Sequence, residues 1–336
     1  MKKGILPLIL VIFVGCLLSS SAAAVMIYLS WDDFLGLSKK EELPAPVFSP
    51  PSPSFYSLPS SSSIPGTGKF TTFWKRLFKG ADPMAFVHDG TWYVFSTGPV
   101  AYSSADGGNT WKRHDGILND GFIWAPHVHQ IGGDWYMFYS TGPTPLRVAK
   151  SSSKSPLGPY VKHAEFGAFL IDPYLVADDD GTWILFATDS NPKTNGGIFR
   201  TVIQPDMKTI GPWKRVFGPK DDPTSGGVTE GTNFFRTAEG WVAAYSSNPY
   251  TTPLYDTRTA FAPSLDGPWK FHGRKLVGPI SKNGQMFSGI GHGSYVSLGG
   301  NEYVYFLHTH DGGPDDRSIF AIRATLEKTT MVYHVE

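Results

Sequence analysis

From residue 82 onward the chain is a succession of short apolar runs separated by glycine-containing turns. The stretch Ile171-Asp172-Pro173-Tyr174-Leu175-Val176-Ala177-Asp178-Asp179-Asp180-Gly181-Thr182-Trp183 shows the pattern. A carboxylate and a rigid proline head an apolar run, an Asp-Gly turn follows, and an aromatic residue restarts the alternation, which predicts a β-hairpin. The segment Asp82-Pro83-Met84-Ala85-Phe86-Val87-His88-Asp89-Gly90-Thr91-Trp92 repeats it with a turn one residue shorter.

The hairpin belongs to a larger unit that recurs. Each copy opens on a small or acidic residue and an apolar strand, turns at glycine, resumes in Trp or Tyr, and closes near a Gly-Pro-aromatic element. Copies run from Asp82 to His114, Trp124 to His163, Ile171 to Val216, Glu230 to Gly273, and Gly291 to about Glu327. Units of roughly 40 to 60 residues, each worth about four short strands, are the signature of propeller blades. The pattern therefore predicts an all-β, five-bladed β-propeller. A non-repeating β-sandwich explains the recurring Gly-Pro-aromatic closure less well.

Composition agrees with this picture: aromatics make up 14% of the 336 residues, beside 37 Gly and 27 Pro, which favours short strands and tight turns over helices. Lys+Arg and Asp+Glu both number 29, so no net charge points to nucleic acid or to an acidic partner. The single cysteine, Cys16, leaves the domain without a disulfide or a thiolate metal site.

The first residues read differently. Lys2 and Lys3 precede a stretch without charge from Gly4 to Trp31. Residues 1–31 are expected to be a secretory signal peptide cleaved near Ser19 to Ala24, or an uncleaved signal anchor with its positive end inside. A lipid-modified Cys16 is a third option. All three place the domain outside the cytoplasm, secreted or held at the cell surface, with membrane contact only through this segment. Residues 32–66, rich in Pro and Ser, are expected to form an extended spacer, and 67–336 the propeller.

In a propeller the first strand of each blade lines the central channel, so the residues heading these strands converge. The heads are Asp82, Trp124-Ala125-Pro126, Asp172, Glu230 and Gly291-His292. Singly, an Asp before Pro is a turn starter and a His between glycines is a core histidine. Three carboxylates at equivalent positions would repel one another unless solvated, metal-bound or used in chemistry. Asp89, Asp106 and Asp178 to Asp180 belong to turns.

These motifs, in this order and together with Asp179-Asp180-Gly181 and Gly291-His292-Gly293, resemble those of glycoside hydrolase family 43, the arabinanases, α-L-arabinofuranosidases and β-xylosidases. The resemblance covers Asp82 to about Glu327. It implies an inverting glycosidase acting on α-L-arabinofuranosidic or β-xylosidic bonds of plant-type polysaccharide, with Asp82 as general base, Glu230 as general acid and Asp172 orienting the acid and adjusting its pKa. Inversion makes the same demand, an acid on the leaving oxygen and a base that activates water across the sugar. His292 matches a histidine that helps hold a calcium or sodium ion at the propeller axis; no organic cofactor is implied. Phe122, Trp124, Phe234 and Phe287 flank the motifs and are candidates for stacking on a sugar ring. The Ser96-Thr97-Gly98-Pro99 run resembles the arabinan-acting members.

Three departures bear on the substrate: Ala81 stands where arabinanases often have His, His127 where an acid is usual, and Gly231-Thr232 where Gly-Pro is frequent. Other readings are a family 62 arabinofuranosidase, a galactan-acting relative, or a non-catalytic sugar-binding propeller.

Overall fold

The computed structural model describes residues 69–335, apart from 168–169 and 190–196. The leader, the Pro/Ser spacer and Cys16 lie outside the described residues. Among the described residues every regular element is a strand, and the strands form five sheets.

A short strand β1 (Phe78–Lys79) precedes the first blade, formed by β2 (Met84–His88), β3 (Thr91–Ser96), β4 (Val100–Ser104) and β5 (Lys112–Asp115). The second blade contains β6 (Trp124–Ile131), β7 (Asp134–Ser140), β8 (Leu146–Ser151) and β9 (Tyr160–Phe166). The third contains β10 (Leu170–Ala177), β11 (Trp183–Asp189), β12 (Gly197–Val202) and β13 (Lys214–Phe217), and the fourth β14 (Thr229–Arg236), β15 (Trp241–Ser247), β16 (Asp256–Ala262) and β17 (Lys270–Leu276). All four are antiparallel meanders in sequence order, as the repeat predicted.

The fifth blade is more elaborate than its sequence unit. Its strands β19 (Gln285–Gly299), β20 (Glu302–Gly313) and β21 (Asp316–Glu327) are flanked by β18 (Ile280–Lys282) and β22 (Thr330–His334), and β1 pairs with β21. Phe78 is in register with Ile319 on that blade and stacks on Tyr102 of the first at 3.6 Å. Residues N-terminal to the first blade thus fasten the last one. The period-2 pattern could not reveal this, because two residues carry no alternation.

Blades pack face to face, so both faces of a sheet are apolar. One interface joins Phe186 of the third blade to Phe234, Trp241 and Trp269 of the fourth; another joins Trp92 of the first to Phe306 of the fifth, with Phe70 between them. Burying each such aromatic contributes roughly 1.5–3 kcal/mol. The rims of the ring carry the polar heads.

One backbone device recurs at every head. Trp124, Ile171, Glu230 and Gly291 each pair with the neighbouring strand, and the next pair lies three residues on along the inner strand against two along its partner. In the first blade the Thr97 amide donates to the Ala81 carbonyl before Met84 pairs with Phe95, which is the same step. The residue in the bulge has positive φ each time: Asp82 (53°), Ala125 (39°), Asp172 (52°), Gly231 (60°) and His292 (35°). A left-handed residue that is not glycine costs of order 1 kcal/mol or more and collects at functional sites, as bulges do. Five bulges turn the inner strands at one level of the channel.

Candidate active site

The bulges bring Asp82, Ala125, Asp172, Gly231 and His292 around a small recess in the channel. Asp82, Asp172 and His292 occupy the equivalent bulge position. Glu230, expected at the same level as the two aspartates, comes from one residue earlier, the position that Trp124 holds in the second blade. Glycine at 231 is favoured twice over. Its φ is positive, and a Cβ there would stand 2.9 Å from the His292 ring.

Asp82 is pinned on both oxygens. Thr97 Oγ1 donates to Oδ2 at 2.6 Å, and Thr97 in turn accepts from the Ala125 amide. Oδ1 accepts from Arg317 Nη1 at 3.2 Å, with His308 Nδ1 at 3.1 Å and His292 Nδ1 at 3.4 Å. Burial opposes its ionisation, but His292, Arg317 and His308 outweigh it and hold the carboxyl well below the usual carboxylate range. Because burial pushes His308 itself down to about 4, the permanent charge beside Asp82 is the guanidinium.

Asp172 and Glu230 are driven the other way. Burial, then the charge of Asp82, pushes Asp172 up to about 7. Burial, then the charge of Asp172, pushes Glu230 up to about 7. Asp172 Oδ2 accepts from the Gly231 amide at 3.3 Å, so it holds the backbone that carries Glu230. Glu230 Oε1 accepts from Tyr255 Oη at 2.6 Å. One carboxylate ready to take a proton therefore faces a pair of carboxyls able to keep one near neutrality, the division that acid–base catalysis needs.

Asp172, Glu230 and His292 place one ligand atom each within 4.8 Å of one another. A single imidazole and two carboxyls are a poor direct set for calcium, which takes six to eight oxygens. The recess also has polar walls: His127 Nε2 and Thr232 Oγ1 line it, buried and without a protein partner. Unpartnered polar atoms suit an ordered water shell, so a hydrated cation beside His292 fits better than one ligated by Glu230.

Of the four aromatic candidates, Phe122 (61% exposed) and Trp124 (37%) are available to a ligand. Phe234 and Phe287 are not. Phe234 is 3% exposed, stacked 3.9 Å from Phe186, because period 2 turns it away from Asn233 and into the interface between blades. Phe287 is 0% exposed and packs edge-on against Trp74 and Phe320.

Arg317, His308, Tyr255 and Thr97 were not among the sequence candidates. The first three stand on or beside outer strands of the fourth and fifth blades, where no motif marks them. Tyr250 was also missed; its ring lies 4.9 Å from the Arg317 guanidinium, 39% exposed.

The sequence profile of glycosyl hydrolases family 43 matches residues 99–331. The extracellular exo-alpha-(1->5)-L-arabinofuranosidase ArbA of Cellvibrio japonicus is 23% identical over 68% of this chain and 78% of its own length. An extracellular exo-alpha-(1->5)-L-arabinofuranosidase of Streptomyces avermitilis is 25% identical over 47% of this chain, which spans 40% of that relative. A crystal structure of a thermostable family-43 glycoside hydrolase superposes with TM-score 0.66 at 24% identity, over 80% of this chain and 96% of that one. An exo-1,5-alpha-L-arabinanase from a bovine ruminal metagenomic library gives 0.60 at 18% identity, over 76% and 97%. At these identities the structural likeness speaks for the fold.

Proposed function

The chain belongs to glycoside hydrolase family 43, and on that premise we propose that it is an inverting glycosidase cleaving α-L-arabinofuranosidic linkages in plant-type polysaccharide. The observation that carries the reading is the opposed charge state of interacting carboxyls, Asp82 held ionised and Glu230 raised to about 7. Glu230 donates its proton to the glycosidic oxygen as the bond to the anomeric carbon breaks. Asp82 takes a proton from the water that attacks that carbon from the opposite face, and the product leaves with inverted configuration. Asp172 keeps Glu230 protonated by like charge and orients it through the Gly231 amide.

Arabinofuranosides are preferred over xylosides because the relatives identified by sequence carry arabinofuranosidase names. Phe122, whose ring lies by Gly98, and Trp124, whose ring lies by Gly142, offer exposed surfaces for the apolar face of a sugar. His292, His127 and Thr232 would hold a hydrated calcium or sodium ion through water, and such an ion would supply positive potential near Asp172. Calcium titration of chelator-treated protein tests it, and absence of binding heat would remove it.

The propeller, residues 67–336, is proposed to act outside the cytoplasm behind a leader at 1–31 and a spacer at 32–66. The names of the relatives and the Lys2-Lys3 apolar run support this. Arabinan, arabinoxylan, xylan and galactan, assayed with wild type, Asp82→Asn and Glu230→Gln, test the function. Release of arabinose by wild type alone is expected, and full activity in both variants refutes the assignment.

A further inference from the structure

We propose that Tyr255 is a positioning residue for the general acid: its hydroxyl fixes which oxygen of Glu230 carries the proton. The inference rests on the assignment of Glu230 above. Tyr255 lies just ahead of β16, fully buried, and its Oη stands 2.6 Å from Glu230 Oε1. Among the described residues it supplies the one hydrogen bond that the Glu230 carboxyl receives.

The direction of that bond is set by the phenol. Burial and the neighbouring Glu230 push Tyr255 well above the ordinary phenol range, so the phenol keeps its proton and donates. Oε1 is thereby committed as an acceptor. The acid's proton resides on Oε2, the oxygen left to reach a leaving group, and the carboxyl cannot rotate without breaking a short hydrogen bond.

The surroundings hold the ring rather than merely tolerate it. Tyr255 stacks on the His308 imidazole with planes 2° apart and centroids 5.6 Å apart. His308 in turn touches Asp82, so one stacked pair braces the acid with one ring and the base with the other. Behind Tyr255, Gly291 gives the space: a Cβ there would stand 2.6 Å from Tyr255 Cε1 and 2.8 Å from Ser246 Oγ. The backbone closes the arrangement, with the Ile290 amide donating to the Tyr255 carbonyl at 3.0 Å.

The test is Tyr255→Phe, which deletes one oxygen and keeps the stack. The Tyr255 bond favours ionised Glu230, so its loss raises the Glu230 pKa and moves the alkaline limb of kcat/KM to higher pH. Misorientation of the acid should lower kcat about tenfold to a hundredfold on arabinofuranosides with poor leaving groups, with little change in KM and a smaller loss on nitrophenyl ones. A second variant carries 3-fluorotyrosine at position 255; this stronger donor of the same shape should shift the alkaline limb the opposite way. Unmoved limbs in both variants, with Glu230→Gln inactive on poor leaving groups, overturn the positioning role alone. Full activity of Glu230→Gln on those substrates overturns the acid assignment and the positioning role with it.

Discussion

Replacing Arg317 with methionine removes the permanent positive charge beside Asp82 while keeping much of the side chain's length. At 3.2 Å and an effective dielectric of about 20, the attraction between the two charges is about 5 kcal/mol. Both side chains are mostly buried, at 19% and 12% exposure, so solvent recovers only part of it. Breaking a buried pair from one side typically costs about 3–5 kcal/mol, and Asp82 lessens that cost by binding a proton. The sign follows. A carboxyl held below its ordinary range stabilises the fold above its unfolded pKa, and that stability is lost as pH falls through the folded pKa. Without Arg317 the folded pKa rises, so stability at neutral pH drops and Asp82 stays protonated to higher pH. Initial rates on nitrophenyl α-L-arabinofuranoside across the pH range should show the acidic limb of kcat/KM displaced upward, with a larger loss at acidic than at alkaline pH. A loss equal at every pH, with the acidic limb in place, would refute Asp82 as the group that Arg317 holds ionised.

Four further outcomes are expected. Asp172→Asn removes the charge that helps raise Glu230, so the alkaline limb should move to lower pH; an unmoved limb, by the same rate measurements, counts against the coupling. Gly231→Ala places a Cβ against the His292 ring at a left-handed backbone position, and thermal unfolding should report a loss of at least about 1–3 kcal/mol. Trp124→Ala should raise KM about tenfold with kcat nearly unchanged, since one stacked ring is worth about 1–2 kcal/mol of binding, whereas Phe234→Ala should destabilise the fold by about 3–5 kcal/mol. Steady-state kinetics and thermal unfolding on both variants separate the two roles.

Much of this architecture was legible because repetition makes weak signals add. Asp82-Pro83 and Asp172-Pro173 each read as ordinary turn starters, and only their place in equivalent units marked them. The bulge itself was not legible. Nothing in the composition of Asp82, Ala125 or Asp172 announces positive φ, and the one-residue offset that it creates separates Glu230 from the aspartates. Phe234 and Phe287 were misread for a related reason, since proximity to a motif in sequence does not fix which face of a strand a side chain takes. Arg317 and His308 meet Asp82 across 235 and 226 residues, pairings that exist only once the ring has closed, and Tyr255 meets Glu230 across 25 residues once the fourth blade has folded.

In the proposed mechanism Glu230 and Asp82 act from opposite faces of the sugar. The most direct test follows the anomeric proton by NMR during rapid hydrolysis of an aryl α-L-arabinofuranoside, before mutarotation equilibrates the product. β-L-arabinofuranose appearing first is the predicted result; α-L-arabinofuranose appearing first would contradict the account.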